Sequence, residues 1–585
     1  MVQAKPQNWS RLLADAVEHQ RSGRFGQAEA IYRQVLRHEP DNPNANQMLG
    51  LLAHQAGDNG AAVRRIGKAI AARPGSALYR FNLGIVLTAS GEVDAAIESY
   101  REALALKPNY AAAHNNLGLL LDKLERMDEA AACFEQATQT APDHVEAWVN
   151  LGKALQGQAK PAEAVSCFER ALKLDPTLAP AHFGIGNSLE VQEKWTEAEA
   201  CYRRALASKA DYREAQNNLG TVLLAQGRYG EAQAAFHRLL EMKHGPIRAT
   251  PGALDNERSI GGEAPPDKRP IPWFRFVDRV EQLEYLLAKE LIDPSFGDTV
   301  AHFRSVLDEF GGDSGDGGGD GGDGGGHGAI TVPGGLARGI EAFCDSFIHY
   351  VDAPAVPSGA INDRLDCEAI ENEFLSSPTP IVCLDDFLGP EALQELRRFC
   401  LEATIYFGSD AAGFVSSNVT NGFNCGLLYQ IAEALKRRLP RVIGSQFLTN
   451  MWVYRHQARG KGVHAHTDDG AVTFNFWITP DAANVDTDRG GLIVYKKEQP
   501  LDWDWMEYNK RKNAPHIQKR ISAFLESADS IAIPYRENRA LLFRSNLFHA
   551  SDDFHFKEGF ENRRINISML FGERTAARSA GPGQD

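Results

Sequence analysis

The 585-residue sequence contains no apolar run long enough to cross a bilayer. Its first residues, Met1-Val-Gln-Ala-Lys-Pro-Gln-Asn8, lack the apolar stretch of a secretory leader. Positive charge is not in excess: 62 Lys and Arg face 77 Asp and Glu, a formal net charge of −15. Phosphate neutralisation supplies much of the affinity for nucleic acid, so this balance argues against such a partner. Cysteine is sparse as well. The eight cysteines form no C-x-x-C pair and no regular framework, which argues against a disulfide scaffold. Three of them, Cys133, Cys167 and Cys201, share one register of a repeat and read as packed thiols. These absences predict a cytoplasmic, reduced protein without a membrane partner, long enough for several domains.

What is present first is periodicity. Over residues 8–244 a small residue recurs at Ala16, Gly50, Gly84, Gly118, Gly152, Gly186 and Gly220. Ala28, Ala62, Ala96, Ala130, Ala164, Ala198 and Ala232 follow in the same rhythm. A bulky residue comes four later, at Tyr32, Ile66, Tyr100, Phe134, Phe168, Tyr202 and Phe236. Pro40, Pro74, Pro108, Pro142 and Pro176 close five units, while Ala210 and His244 stand where the last two prolines are expected. Small residues let two antiparallel helices approach, the large one fills the groove beside them, and proline stops the second helix. The pattern is similar to the tetratricopeptide repeat, in seven units, and implies an all-α solenoid with a concave face.

Four repeats place asparagine two residues before the glycine: Asn82, Asn116, Asn150 and Asn218. Met48 and Gly184 interrupt the row. An amide both donates and accepts, so a ladder of them can hold a peptide backbone. In this it resembles the asparagine ladder of O-GlcNAc transferase repeats, and implies a protein or peptide client on the concave face. The bland alternative is that these amides bind neighbouring helices. After the repeats, 245–274 reads as linker and 275–309 as helical. Residues 310–330 read as a Gly/Asp-rich tether and 335–359 as a helix with a lead-in. A β-rich domain is expected over 360–573, followed by a short tail, 574–585.

The chemistry concentrates in Val463-His-Ala-His-Thr-Asp-Asp-Gly470, which runs into the apolar, β-prone stretch Val472–Ile478. Residues two apart on an extended chain face the same way, so His466 and Asp468 converge. Two ligands hold a metal poorly. Arg539–His549 reads as a second apolar strand ending in a histidine, which would supply the third. His464, Asp469 and His555 are nearby rivals. Two histidines and one carboxylate on one face match the non-haem Fe(II) arrangement. Gly490-Gly-Leu-Ile-Val-Tyr495 reads as a strand entered through a glycine turn. Glu561–Phe571 reads as another, with Arg564, Asn566 and Ser568 on one face.

The ordered set resembles the double-stranded β-helix, or jelly roll, of Fe(II)/2-oxoglutarate dioxygenases, in the prolyl-4-hydroxylase and SM-20-like branch. The resemblance implies iron at His466, Asp468 and His549, and Arg564 on the far carboxylate of 2-oxoglutarate. Tyr454, Asn566 and Ser568 are placed beside that co-substrate. It further implies O2 as oxidant, ascorbate as reductant, and hydroxylation coupled to oxidative decarboxylation of 2-oxoglutarate. The loop after Tyr495 carries Trp503 and Trp505 beside basic residues, and is expected either to touch substrate or to pack on the barrel. Two other functions stay open: a small-molecule hydroxylase whose repeats serve assembly, and a repeat scaffold with a ligand-binding barrel. Oligomeric state is not legible.

Overall fold

The computed structural model describes residues 9–246, 268–311, 329–346, 348–410, 413–500, 503 and 514–572. Most of the expected tether, the tail and Trp505 lie outside these residues. The chain divides into two compact units, Met1–Ala210 and Asp211–Asp585.

Fourteen helices, from Trp9–Arg21 to Tyr229–His244, alternate in antiparallel pairs through the repeat region. The small-to-large pairing expected from the sequence is the contact that closes each pair. A Cβ added at Gly84 would lie 2.5 Å from the Tyr100 ring, at Gly118 2.6 Å from Phe134, and at Gly152 2.7 Å from Phe168. Those rings are fully or almost fully buried. The second helices end at His38, Ala72, Leu106, Thr140 and Leu174, each two residues before a proline. The sixth ends at Ser208 in the same register without proline, whereas the last runs on to His244, and Gly245 ends it at φ +76°.

The last pair, Arg213–Ala225 and Tyr229–His244, belongs to the second unit. His244 stacks on Phe407 with ring centres 3.8 Å apart and donates or accepts at the Asp345 carbonyl, 3.0 Å away. Tyr229 stacks on Tyr429, and His237 meets Tyr350 edge-on. The end of the solenoid is thus a packing partner of the domain that follows it.

In the second unit β1 (Lys268–Pro272) pairs antiparallel with β2 (Ala329–Pro333), at positions the sequence reading had assigned to linker and tether. The helical segment is two helices, Trp273–Ala288 and Phe296–Gly311, broken near Pro294 where Asp293 caps the Ser295 amide. A third helix spans Gly334–Asp345. Their core is Phe276, Leu283, Phe303, Ile340 and Phe343. A buried ion cluster ties this layer to the sheet beyond it. Asp278 accepts from Arg455 and Arg563, and all three are nearly or fully buried. The β-rich body therefore begins well before residue 360.

That body carries β3 (Ile381–Leu384), β4 (Gly408–Asp410), β5 (Phe414–Asn418), β6 (Leu448–His456), β7 (Arg459–Gly460), β8 (Val472–Trp477) and β9 (Leu492–Glu498). After these come β10 (Ser530–Ile533), β11 (Ala540–Arg544), β12 (Leu547–Ser551), β13 (Phe554–His555) and β14 (Ile565–Phe571). One antiparallel sheet runs β3-β11-β8-β14-β6-β5-β4 and another β10-β9-β12, with β7 and β13 paired apart. Trp477, Leu541 and Phe543 of the larger sheet share a core with Leu492, Val494, Ile533 and Leu547 of the smaller. The expected single strand Arg539–His549 is corrected here. It turns at Ser545-Asn546, and His549 lies within β12, in the other sheet. Among the described residues no helix is long and apolar enough to cross a membrane.

Two outcomes follow from this packing. Gly118→Val forces a methyl into the Phe134 ring and lowers solenoid stability by about 1–3 kcal/mol; Gly67→Val, at a helical site with open space, does not. Thermal denaturation of both variants checks it. The second concerns pH. Burial pushes His244 down to about 4 and lowers His237 too. Undocked imidazoles titrate near 6.5, so the docked helix is favoured fully above that pH. The contribution is lost as pH falls toward 4. Melting scans from pH 7 to 5 should show a smaller drop in His244→Phe than in the parent.

Candidate metal centre

The centre is assembled by two segments zipped together along their backbones. His466 N–H donates to the His549 carbonyl at 3.0 Å, and His549 N–H returns to the His466 carbonyl at 2.9 Å. Asp468 N–H donates to the Ser545 carbonyl at 2.9 Å, and Ser551 N–H to Val463 at 3.0 Å. The Ser545-Asn546 corner thereby places His549 opposite His466, with imidazole centres 4.4 Å apart. One ligand atom from each of His466, Asp468 and His549 falls within 4.8 Å of the others. The nearest approaches to the carboxylate are 3.8 Å from His466 Nε2 and 3.5 Å from His549 Nε2. Among the described residues this is the one His/Cys/Asp/Glu cluster with metal-holding geometry.

Both rings are held in one tautomer. His466 Nδ1 lies 2.8 Å from the His464 carbonyl and His549 Nδ1 lies 3.2 Å from the Leu547 carbonyl. A carbonyl only accepts, so Nδ1 carries the proton and each Nε2 keeps its lone pair for a metal. Asp468 is fixed in turn: Thr473 Oγ donates to its Oδ2 at 2.8 Å, and Ser545 Oγ lies 2.9 Å from Thr473. Between the ligands, Thr467 donates to Gln499 at 2.6 Å. The donor set suits Fe(II) or a similar divalent ion. His464 contributes its carbonyl to the centre and is absent from the ligand cluster, as are Asp469 and His555.

The cleft beside the triad is lined by Trp452, Tyr454, Asn475, Leu492, Asn566 and Ser568, among others. Tyr454, Asn566 and Ser568 are thus on the wall of the cleft that holds the triad. Asn475 donates to Ser568 at 2.9 Å. The free space is about 20 Å³, room for a single water-sized ligand. Arg564 lies deeper and is fully buried. Its Nε and Nη2 donate to the carbonyls of Gly490 and Gly491 at 2.7 and 3.0 Å, while Nη1 meets no acceptor. Two of its donors are therefore committed to backbone. Burial pushes this guanidinium down to about 10. Both glycines are required: Gly490 has φ +86°, and a Cβ on Gly491 would lie 1.9 Å from the Ile533 carbonyl.

Trp503 packs against Phe524 and Phe548, with Arg520 stacked 4.2 Å above it, rather than lining the cleft. In the repeats, Asn82 is buried and Asn116, Asn150 and Asn218 are half-buried. Asn150 donates to Asn115 in the preceding repeat at 3.0 Å, Asn116 bonds Tyr100, and Asn218 accepts from Asn217. These bonds occupy part of the ladder with helix-to-helix ties. Sequence reasoning missed Thr473, Ser545, Gln499 and Asn475. Inward alternation along β8 was the available signal for Thr473 and Asn475.

With the geometry in view, comparisons with known proteins speak to the repeats. Residues 20–82, 109–177, 149–212 and 183–253 match families described as tetratricopeptide repeat, and 84–125 one described as TPR repeat. The N-terminal region is built of tetratricopeptide repeats. The chain is similar to the solved structure of MamA, at 28% identity over 28% of this chain and 94% of that one, with a TM-score of 0.26. It is similar to pilF of Pseudomonas aeruginosa at 24% identity, over 34% and 91% of the two chains, with a TM-score of 0.31. YrrB, described as a TPR protein with an unusual peptide-binding site, matches at 22% over 30% and 92%, with a TM-score of 0.28. No curated protein matches. The family matches end at residue 253, so the C-terminal region is read from its own geometry.

Replacing Thr473 by Val keeps the shape and removes the donor to Asp468. Loss of such a supporting bond weakens metal affinity by about 10–100-fold. Titration of Co(II) into the parent, Thr473→Val and Thr473→Ser checks this, with Ser restoring most of the loss.

Proposed function

We propose that this chain is an Fe(II)- and 2-oxoglutarate-dependent dioxygenase, a double-stranded β-helix hydroxylase that acts on a protein or peptide brought by the repeats. The observation that carries the reading is the triad with both imidazoles presenting Nε2 to one point, His466 and His549 beside Asp468. The buried guanidinium of Arg564, with Nη1 unanswered, supports it, because a cation out of water requires an anionic or strongly accepting partner. Bound iron with 2-oxoglutarate would supply the oxidising chemistry, splitting O2 between the co-substrate and a hydroxylated product.

The chain's own residues bind and orient. His466, Asp468 and His549 would hold the metal on one side and leave the other open. Arg564 would take the far carboxylate through Nη1, and Tyr454, Asn566 and Ser568 would flank the diacid. Phe543 and Leu547 keep the inner wall dry. Space of about 20 Å³ admits a five-carbon diacid only after side chains that narrow the cleft move. That narrowness favours a second reading, a metal-holding barrel without turnover that serves a repeat scaffold. Tetratricopeptide repeats commonly bind proteins or peptides, which supports a client held by the solenoid in either reading. Helix-to-helix bonds of Asn116 and Asn150 leave the ladder only partly available for this.

Turnover separates the two. Purified protein with Fe(II), ascorbate and a lysate as substrate source is expected to convert 2-oxoglutarate to succinate. His466→Ala should abolish conversion, and Arg564→Lys should raise the 2-oxoglutarate requirement at least about tenfold, the loss of one charge-assisted bond. Metal binding without succinate in the parent would establish the scaffold instead.

A further inference from the structure

The barrel interior contains a second buried group that the proposed chemistry does not yet use. His456, on β6, is fully buried, and neither of its ring nitrogens meets a hydrogen-bond partner. It is paired by backbone to the arginine, His456 N–H donating to the Arg564 carbonyl at 3.0 Å. Both side chains flank Phe554, His456 with ring centres 5.2 Å apart and Arg564 5.5 Å from the ring centre.

Register fixes where this pair sits. Across β6 and β14, Trp452 faces Ser568 and Tyr454 faces Asn566. The next inward pair in the same direction is His456 with Arg564. Inward residues two apart on a strand are separated by about 6.5 Å, so the pair lies one step deeper than Tyr454 and Asn566, which line the metal cleft. Unanswered polar atoms adjoin here: His456 Nδ1 and Nε2 and Arg564 Nη1 at that depth, with Asn566 Oδ1 and Trp477 Nε1 one register step above. Most buried polar atoms in folded proteins are satisfied, so a cluster of exceptions on adjoining strands marks a ligand's place. Burial, helped by the nearby Arg564 charge, holds His456 well below the ordinary imidazole range. It is neutral, with one N–H to donate. Arg564 gives Nε and Nη2 to the carbonyls of Gly490 and Gly491, which leaves Nη1 as its one nitrogen without an acceptor.

From this juxtaposition we infer that His456 donates the second hydrogen bond to the far carboxylate of the 2-oxo diacid, completing the anchor that Arg564 Nη1 begins. The inference rests on the dioxygenase reading. No charge moves: the ligand enters as a dianion, Arg564 remains the cation, and the imidazole stays neutral.

The test uses the full chain loaded with Fe(II) without oxygen, titrated with 2-oxoglutarate and followed by the charge-transfer absorbance of the chelated metal. His456→Met removes the donor at similar bulk and should weaken 2-oxoglutarate about tenfold, the value of a hydrogen bond to a charged group. His456→Gln keeps a donor and should stay within about threefold of the parent on the same scale. Fe(II) affinity, measured separately, should be unchanged in both. 2-Oxobutyrate, which lacks the far carboxylate, should bind the parent and His456→Met equally. His456→Phe, matched to the Phe414 and Phe554 rings, is the alternative donor-free variant if Met does not fold. Equal 2-oxoglutarate affinity in the parent and a folded donor-free variant overturns the role of His456 alone. Fe(II) binding with no 2-oxoglutarate signal in the parent overturns the dioxygenase reading and this inference with it.

Discussion

The reciprocal hydrogen bonds between His466 and His549 are the constraint on which the C-terminal site depends. Each residue gives its amide to the other's carbonyl, so the two backbones are held side by side in an isolated bridge between the segment before β8 and β12. The bridge exists because β11 and β12 do not continue into one another: the chain turns at Ser545-Asn546 and crosses from the larger sheet to the smaller. That corner also offers Ser545 to the Asp468 amide and places its hydroxyl beside Thr473. His466 and Asp468, two residues apart, thus meet His549 from about eighty residues on, and carbonyls set the proton positions of the two imidazoles.

Around this group the interior is divided. Leu541, Phe543 and Leu547 form an apolar wall, whereas His456, Asn475, Arg564 and Asn566 project polar atoms along β6, β8 and β14. Leaving a buried polar atom unpaired costs about 1–3 kcal/mol, so the unpartnered atoms of His456, Arg564 and Asn566 weigh against the stability of this region. Stability is supplied outside that region. Asp278 clamps Arg455 and Arg563 on the outer face of the same strands, and the last repeat docks through His244 on Phe407. Removing one partner of so buried an ion cluster would strand the others, which is why the helices before residue 360 are inseparable from the sheet.

The solenoid was legible because its rule is local and repeated: Gly118 against Phe134 recurs unit after unit, and Pro142 or Pro176 marks each end. The convergence of His466 and Asp468 was legible because alternation puts them on one side of an extended segment. Other features depend on contacts far apart in sequence. Nothing local marks Asp278 as the partner of Arg455 and Arg563, or Gly490 and Gly491 as acceptors for Arg564. The strand after Arg539 read as continuous because Ser545-Asn546 lies between two apolar runs without a glycine or proline. Trp503 looked available for substrate, yet Phe524, Phe548 and Arg520 surround it. His456 escaped notice because its neighbour Tyr454 matched the expected pattern first.

X-ray absorption at the iron edge of the Fe(II)-loaded chain addresses the central claim most directly. The account predicts scattering from two imidazoles, with oxygen in the remaining positions and no sulfur, and one imidazole fewer in His549→Ala. A sphere of oxygen alone, or one that keeps both imidazoles after that substitution, would contradict it.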